Sequence, residues 1–370
     1  MSTLNVRQLS RGIDVGLLTA AVLLTIFGLG ALFSFSLNIA QPNFSLLTKQ
    51  FIYLLVGLVF IFLLARFDYR FLGGIHWLLY ALSLLSLIAV LFFGQTVRGT
   101  TGWFEFAGFQ LQPVEFTKVV LAIVLAKYFS DQADRLTAWS TTIVSGLITA
   151  VPVALVMRQP DLGSATILIG TWFGLLMILP VPRRRIILIT FCAILLAIVS
   201  WFILLQPYQK ARITNVILPG RDPLRSGYNV HQAITAIGSG QIFGRGLGLG
   251  PQSQLNFLPE RQTDFIFASI CEELGLIGGA LVIFLYCFYC WRCYALARRS
   301  QDIFSIVLIM GLTWIVSIQA VINIGMNLGV LPVTGITLPF ISYGGSSLIA
   351  SLIAVGILES ISARQRILPL

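Results

Sequence analysis

Residues 264–291 read DFIFASICEELGLIGGALVIFLYCFYCW, with Asp264, Glu272 and Glu273 as the only charges. A hydrocarbon core about 30 Å thick is crossed by roughly 20 apolar residues at about 1.5 Å each. This stretch is too long and too apolar for a helix of a soluble core, and it decides the fold class: an all-α, polytopic membrane protein. Runs of the same size recur along the chain, and ten spans are expected, at 14–37, 48–65, 71–93, 112–129, 141–157, 162–180, 185–205, 264–291, 303–327 and 345–362.

The composition agrees. Of 370 residues 57% are hydrophobic and only 10% charged, and the mean hydropathy is +0.91, far from soluble domains. No soluble domain is left over, so residues 1–370 are read as a single integral membrane domain. The first span is too long, and too poor in a small-residue cleavage site, for a removable signal peptide, and is read as a permanent helix.

An even number of spans puts both termini on one side. Lys and Arg accumulate in short cytoplasmic loops. With the termini inside, the inner segments hold Arg7, Arg11, Arg66, Arg70, Lys127, Arg135, Arg183, Arg184, Arg185, Arg292, Arg298, Arg299, Arg364 and Arg366, whereas short outer segments hold only Lys49, Arg98 and Arg158. Residues 206–263 then form a long extracytoplasmic loop between the seventh and eighth spans. Topology accounts for most of the formal charge of +10, which in a soluble chain would suggest nucleic acid; no nucleic-acid partner is expected. The cations of the long loop, Lys210, Arg212, Arg221, Arg225, Arg245 and Arg261, need another reason, and an anionic ligand is one.

Charges at the lip of a membrane helix are costly and mark functional sites. On the outer side Glu115 and Lys118 open the fourth span (QPVEFTK), Asp161 opens the sixth (RQPDLG) and Asp264 the eighth (ERQTDFIF). Glu115 and Lys118, at i and i+3, share a helix face, so they pair as a cap or reach one ligand together. Pro160 and Asp161 suit a helix start, where a carboxylate also gains from the helix dipole. Thr263 is a candidate N-cap, and Asp264, between a basic loop and an apolar wall, is a candidate general base. On straight-helix geometry Glu272 lies about 12 Å further along. It and Glu273 are read as deep residues that hydrogen-bond between helices.

Other features carry less. Only His76 and His231 are present, neither beside a nucleophile motif, which argues against Ser-His or Cys-His catalysis. Cys287, Cys290 and Cys293 have the spacing of a soft-metal site on one helix face, but are read as reduced thiols used as small hydrophobes. The glycines of GSGQIFGRGLGLG (238–250) lack the βαβ context of a nucleotide fingerprint and are read as a flexible loop with close backbone approach. Residues 94–111 are expected along the headgroups, and 327–345, broken by Pro332, Gly335 and Pro339, as a re-entrant or surface-lying segment.

FLPERQTDFIFASICEELG, QPVEFTK, RQPDLG, GYNVHQA with GSG, and LPFISYGGSS, in this order across ten spans, resemble the SEDS family (shape, elongation, division and sporulation) of bacterial peptidoglycan polymerases. QSQLNFLPER is similar to the RodA branch. The resemblance covers nearly the whole chain. It implies polymerisation of lipid II into a nascent glycan strand at the outer face of the bacterial cytoplasmic (inner) membrane. Partners implied are a class B penicillin-binding protein supplying transpeptidation and the elongation machinery of cell shape.

The family's proposed catalytic aspartate matches Asp264, its QPxExxK pair Glu115 and Lys118, and its QPDLG aspartate Asp161. Two positions depart: Gln262 stands where a His is common and cannot relay a proton, and Gly102 stands where an Arg is common. The expected chemistry has Asp264 as general base and undecaprenyl pyrophosphate as leaving group, with Glu115 and Lys118 assisting. Asp161, Arg98, Arg212, Arg221, Arg225 and Arg261 are expected to bind substrate. A divalent cation (Mg or Mn) is expected too, with Asp264 and Glu115 as candidate ligands. Rival readings are a lipid II flippase, favoured only by Glu272 and Glu273, and a noncatalytic scaffold of the synthase.

Overall fold

The computed structural model describes residues 12–37, 43–97, 99–106, 108–203, 209, 210, 212, 214 and 226–367. The order is α1 (Val15–Ser36), α2 (Ser45–Arg66), α3 (Arg70–Gly74), α4 (His76–Phe93), strands β1 (Gln95–Val97), β2 (Thr100–Phe106) and β3 (Phe109–Leu111), then α5 (Pro113–Asp131), α6 (Trp139–Arg158), α7 (Leu162–Ile178) and α8 (Arg183–Ile203). After the long loop's start come α9 (Ser226–Ser239), α10 (Pro251–Gln254), α11 (Ile266–Arg299), α12 (Ile303–Asn327) and α13 (Gly345–Ile367).

Each expected span falls on one of these helices except 71–93, which covers the short α3 and then α4, divided at Ile75. Eight, α1, α2, α4, α6, α8, α11, α12 and α13, are long and apolar enough on their own to cross a membrane. Of the other two, α7 is 17 residues long, and α5 carries Glu115, Lys118, Lys127 and Asp131. Alternation of direction puts residues 94–112, 159–161, 226–265 and 328–344 on one face, termed the Asp264 face. Both ends of the described chain lie on the opposite face.

Burial sorts the helices. In α13, 89% of the apolar window is buried, against none in α8. The central helix α13 packs on α2, α5 on α4 and α12, and α11 on α1 and α12, while α8 packs substantially on no described element. One residue pins it at the termini face: Arg185, only 6% exposed, donates to the carbonyls of Ala138 (2.8 Å) and Thr137 (2.7 Å) and to the Thr142 hydroxyl (2.9 Å). Its guanidinium stacks on Trp139.

Three expectations change. Residues 95–111 form an antiparallel three-stranded meander, β1-β2-β3, because Thr, Trp and Phe in alternation suit paired strands. The eighth span is not one straight helix of 264–291: it begins at Ile266, runs to Arg299 and breaks at Gly275 (φ 68°, ψ −164°). Thr263 is not its cap, since the helix has no side-chain N-cap and the Thr263 hydroxyl bonds Glu260 instead. Residues 328–344 contain no helix, as the prolines and glycines require.

Candidate active site

The irregular segment 328–344, with the first turn of α13, joins the polar motifs. The Ser342 hydroxyl donates to the Thr263 carbonyl (2.6 Å), and the Tyr343 N–H to that of Gln262 (2.8 Å). At the segment's end Ser346 accepts the Gln112 N–H (2.8 Å), just before α5. At its start it crosses α7, where a Cβ on Gly163 would come within 3.0 Å of the Thr334 carbonyl and 2.8 Å of Ile336. TDFIF, QPVEFTK and QPDLG thus meet around one strap.

Asp264 is fixed by its backbone. Its carbonyl accepts from Asn323 (3.0 Å) and Asn327 (2.9 Å) of α12. Asn327 also accepts the Ala268 N–H (3.0 Å), and Asn323 also donates to the Ile336 carbonyl (2.8 Å). Both asparagines are fully buried. The half-buried Asp264 carboxylate points toward Gly335, whose added Cβ would lie 3.7 Å from Oδ2. Asn323 and Asn327 were missed in the sequence, although two amides at i and i+4 in an apolar helix are a signal of their own.

Glu115 and Lys118 form an ion pair of 2.7 Å, the side chains 9% and 2% exposed. Pro113 opens α5 as expected. Asp161 is the N-cap of α7, accepting the Ser164 N–H at 2.9 Å, and it also lines a cavity of about 960 Å³ between α7 and α8. Arg212 lines the same cavity beside Val333 and Thr334, and donates to the Val333 carbonyl (3.2 Å). Apolar residues of α8, Ile198 and Trp201 among them, close the far side. Asp264, Glu115 and Lys118 are not in the cavity lining; the strap separates Asp264 from it, with Val333 and Thr334 on the cavity side and Gly335 toward the carboxylate.

Arg261 turns elsewhere. Its guanidinium lies 5.0 Å over the Phe35 ring. Burial lowers its pKa from the usual arginine range, and Glu273 and Glu272 act in the opposite direction. Arg98, Arg221 and Arg225 lie outside the described residues. Gly102 sits near the site, its added Cβ 3.5 Å from the Gln159 amide oxygen and 3.8 Å from that of the Gln112 nitrogen.

Glu272 and Glu273 hydrogen-bond between helices as expected, to α10 and α1, but at the edge of the hydrocarbon core and not deep within it. Counted along α1 from Asp14, where Arg292 binds (3.0 Å), the Ser34 that donates to Glu273 lies roughly 30 Å away, at the edge of a hydrocarbon core. Most of their partners lie in the glycine-rich loop and in α10 just after it. Glu272 accepts the N–H groups of Gln252 (2.8 Å) and Ser253 (3.0 Å) and the Ser253 hydroxyl. Glu273 accepts from Ser34 and from the Gly248 N–H (3.3 Å). The Arg245 and Gly246 N–H groups donate to the carbonyls of Glu272 (2.9 Å) and Glu273 (3.0 Å). A Cβ on Gly240 or Gly244 would collide with the carbonyls of Cys271 or Glu273, so the close approach read from the glycines is real.

Among the described residues no three His, Cys, Asp or Glu side chains gather as a metal-binding group, and the five cysteines are free. A substrate-bridging Mg²⁺ needs only one or two carboxylates beside phosphate oxygens. With Glu115 paired to Lys118, Asp264 is the carboxylate that fits that requirement.

The fold and site define a multi-pass membrane protein whose polar motifs converge at one lip of the helix bundle. The chain belongs to the FtsW/RodA/SpoVE cell cycle protein family, which matches residues 15–367. It is 35% identical over 361 residues to stage V sporulation protein E of Bacillus subtilis (strain 168), covering 95% of this chain and 98% of that one. It is 36% identical over 313 residues to peptidoglycan glycosyltransferase MrdB of Escherichia coli (strain K12), covering 85% and 84%. A chain from a peptidoglycan synthase complex, solved for its structural coordination of polymerization and crosslinking, superposes with a TM-score of 0.82 at 31% identity, covering 95% of this chain and 98% of that chain.

Proposed function

We propose that the chain is a peptidoglycan glycosyltransferase of the RodA branch, polymerising lipid II at the extracytoplasmic face of the bacterial inner membrane. The distribution of Lys and Arg places both termini in the cytoplasm and the Asp264 face outside. A class B penicillin-binding protein is the proposed transpeptidase partner. The observation that carries the reading is the clamp on Asp264: two buried asparagines hold its backbone while its carboxylate faces a glycine of the strap.

In this mechanism Asp264 takes the proton from the 4-hydroxyl of the acceptor's GlcNAc. The freed oxygen attacks the anomeric carbon of the growing chain, and the bond to the pyrophosphate oxygen breaks. Undecaprenyl pyrophosphate leaves with the electron pair. Arg212 and Asp161 form the polar end of the cavity between α7 and α8, whose apolar walls suit a polyprenyl tail. There Arg212 meets the anionic leaving group. The enclosed Glu115–Lys118 pair braces the first turn of α5, a positioning role, while the Gln112 N–H ties that end to Ser346. Asp264 is the residue that would hold a divalent cation, which would supply further charge neutralisation.

No feature now favours transport, because Glu272 and Glu273 already accept hydrogen bonds from the loop and α1. The test is reconstitution with the transpeptidase partner and Mg²⁺ in liposomes, with lipid II in either leaflet. Glycan polymer from lipid II exposed on the Asp264 face is expected. Translocation without polymer would overturn the proposal.

A further inference from the structure

The loop held by Glu272 and Glu273 carries a row of outward apolar side chains. Ile242, Phe243, Leu247 and Leu249 are 56, 81, 57 and 70% exposed, a grouping that in a water-facing loop would be an unexplained apolar patch. Its height explains it. Ser34, against the loop at Gly248, stands roughly 30 Å along α1 from the Asp14–Arg292 pair, and Gly275 roughly 26 Å along α11 from Arg292. Both helices put the loop at the edge of the hydrocarbon core on the Asp264 face.

The loop is also continuous with the lipid-facing wall. At the α11 break the N–H groups of Leu276 and Ile277 donate to the carbonyls of Gln241 (2.8 Å) and Ile242 (3.3 Å), and Leu276 and Ile277 are themselves 66% and 53% exposed. Gly244, Gly246 and Gly248, at φ +83°, +97° and +75°, give the tip turns that only glycine adopts without strain. Arg245, exposed, donates its Nε to the Ser239 carbonyl (2.9 Å) and has the snorkelling chemistry of the headgroup layer.

We propose that residues 241–249 are a membrane anchor, inserting Phe243, Leu247 and Leu249 among the acyl chains of the leaflet on the Asp264 face. The anchor is rigid because the two glutamates staple it to the half-helix 266–274, and it sets the height at which that half-helix presents Asp264. The occupant is lipid: no acid interrupts the patch, and it extends the apolar surface of α11 without forming a groove. The inference is independent of the chemistry assigned to Asp264.

The experiment places trifluoromethyl-phenylalanine at position 243 of the full chain in nanodiscs of phosphatidylethanolamine and phosphatidylglycerol. Fluorine relaxation is read with dissolved oxygen and with a water-soluble nickel chelate, alone and with the transpeptidase partner added. The same probe at Phe284, 60% exposed on α11, is the lipid reference. Oxygen is expected to dominate nickel several-fold, as at position 284, with or without partner. Dominance of nickel would place the loop in water, and insensitivity to both, or loss of the oxygen effect on adding partner, would make it a protein interface; each overturns the anchor.

Discussion

The half-helix 266–274 ends in two sets of acids that live differently. At its start Asp264 is gripped through its carbonyl and turns a half-buried carboxylate toward the strap. At its end Glu272 and Glu273, 0% and 2% exposed, take hydrogen bonds from two backbone N–H groups of α10, a glycine N–H of the loop and two serine hydroxyls. The difference lies in what the neighbours fix: at Glu272 and Glu273 they bind buried carboxylates and tie elements together, and at Asp264 they bind the backbone carbonyl and so set the direction of a half-buried carboxylate.

Substitutions sharpen that contrast. The largest stability loss is expected at the other enclosed acid: Glu115→Ala or Lys118→Ala leaves a buried charge unpaired and costs about 3–5 kcal/mol, whereas Glu115→Gln with Lys118→Met costs less than either. Thermal unfolding in detergent reads this. If the double variant is folded yet polymerises at a hundredth of the parental rate or less, about 3 kcal/mol of barrier, the pair acts in the chemistry and not only in positioning.

Next comes an asymmetry within the acid pair. Glu272 uses both carboxylate oxygens as acceptors, so Glu272→Gln sets an amide against the Ser253 N–H or Gln252 N–H. Glu273 takes the Ser34 hydroxyl and Gly248 N–H on one oxygen, which a glutamine retains, and its further partner, the Gln254 side-chain amide, can flip to suit a glutamine. Glu272→Gln is expected to lose about 1–3 kcal/mol more than Glu273→Gln, and the reverse order in the melting temperatures would break the staple account. Of similar size, Gly244→Ala, at φ +83° against the Glu273 carbonyl, should lose about 1–3 kcal/mol. An unchanged melting temperature there would mean the loop is not held.

Much of this was legible in the sequence. Apolar run length located the helices, and Pro332, Gly335 and Pro339 marked the strap as irregular. Asp161 was readable both as a cap and as a site residue; it caps α7, and it lines the cavity between α7 and α8. The break at Gly275 was not legible, because it comes from the backbone of Ile242 and Gly244 pressing on that glycine from more than thirty positions upstream. For the same reason Glu272 looked deep: run length cannot say where a helix changes direction. Arg261 looked like a pyrophosphate ligand from its place in a basic loop, and only packing shows its guanidinium over Phe35.

The central claim is that Asp264 is the base. Its most direct test is the lipid II polymerisation rate of Asp264→Asn per folded molecule, with partner and Mg²⁺, beside the parent. A loss of about 10²–10⁴-fold with an unchanged melting temperature is predicted. A parental rate would contradict the account.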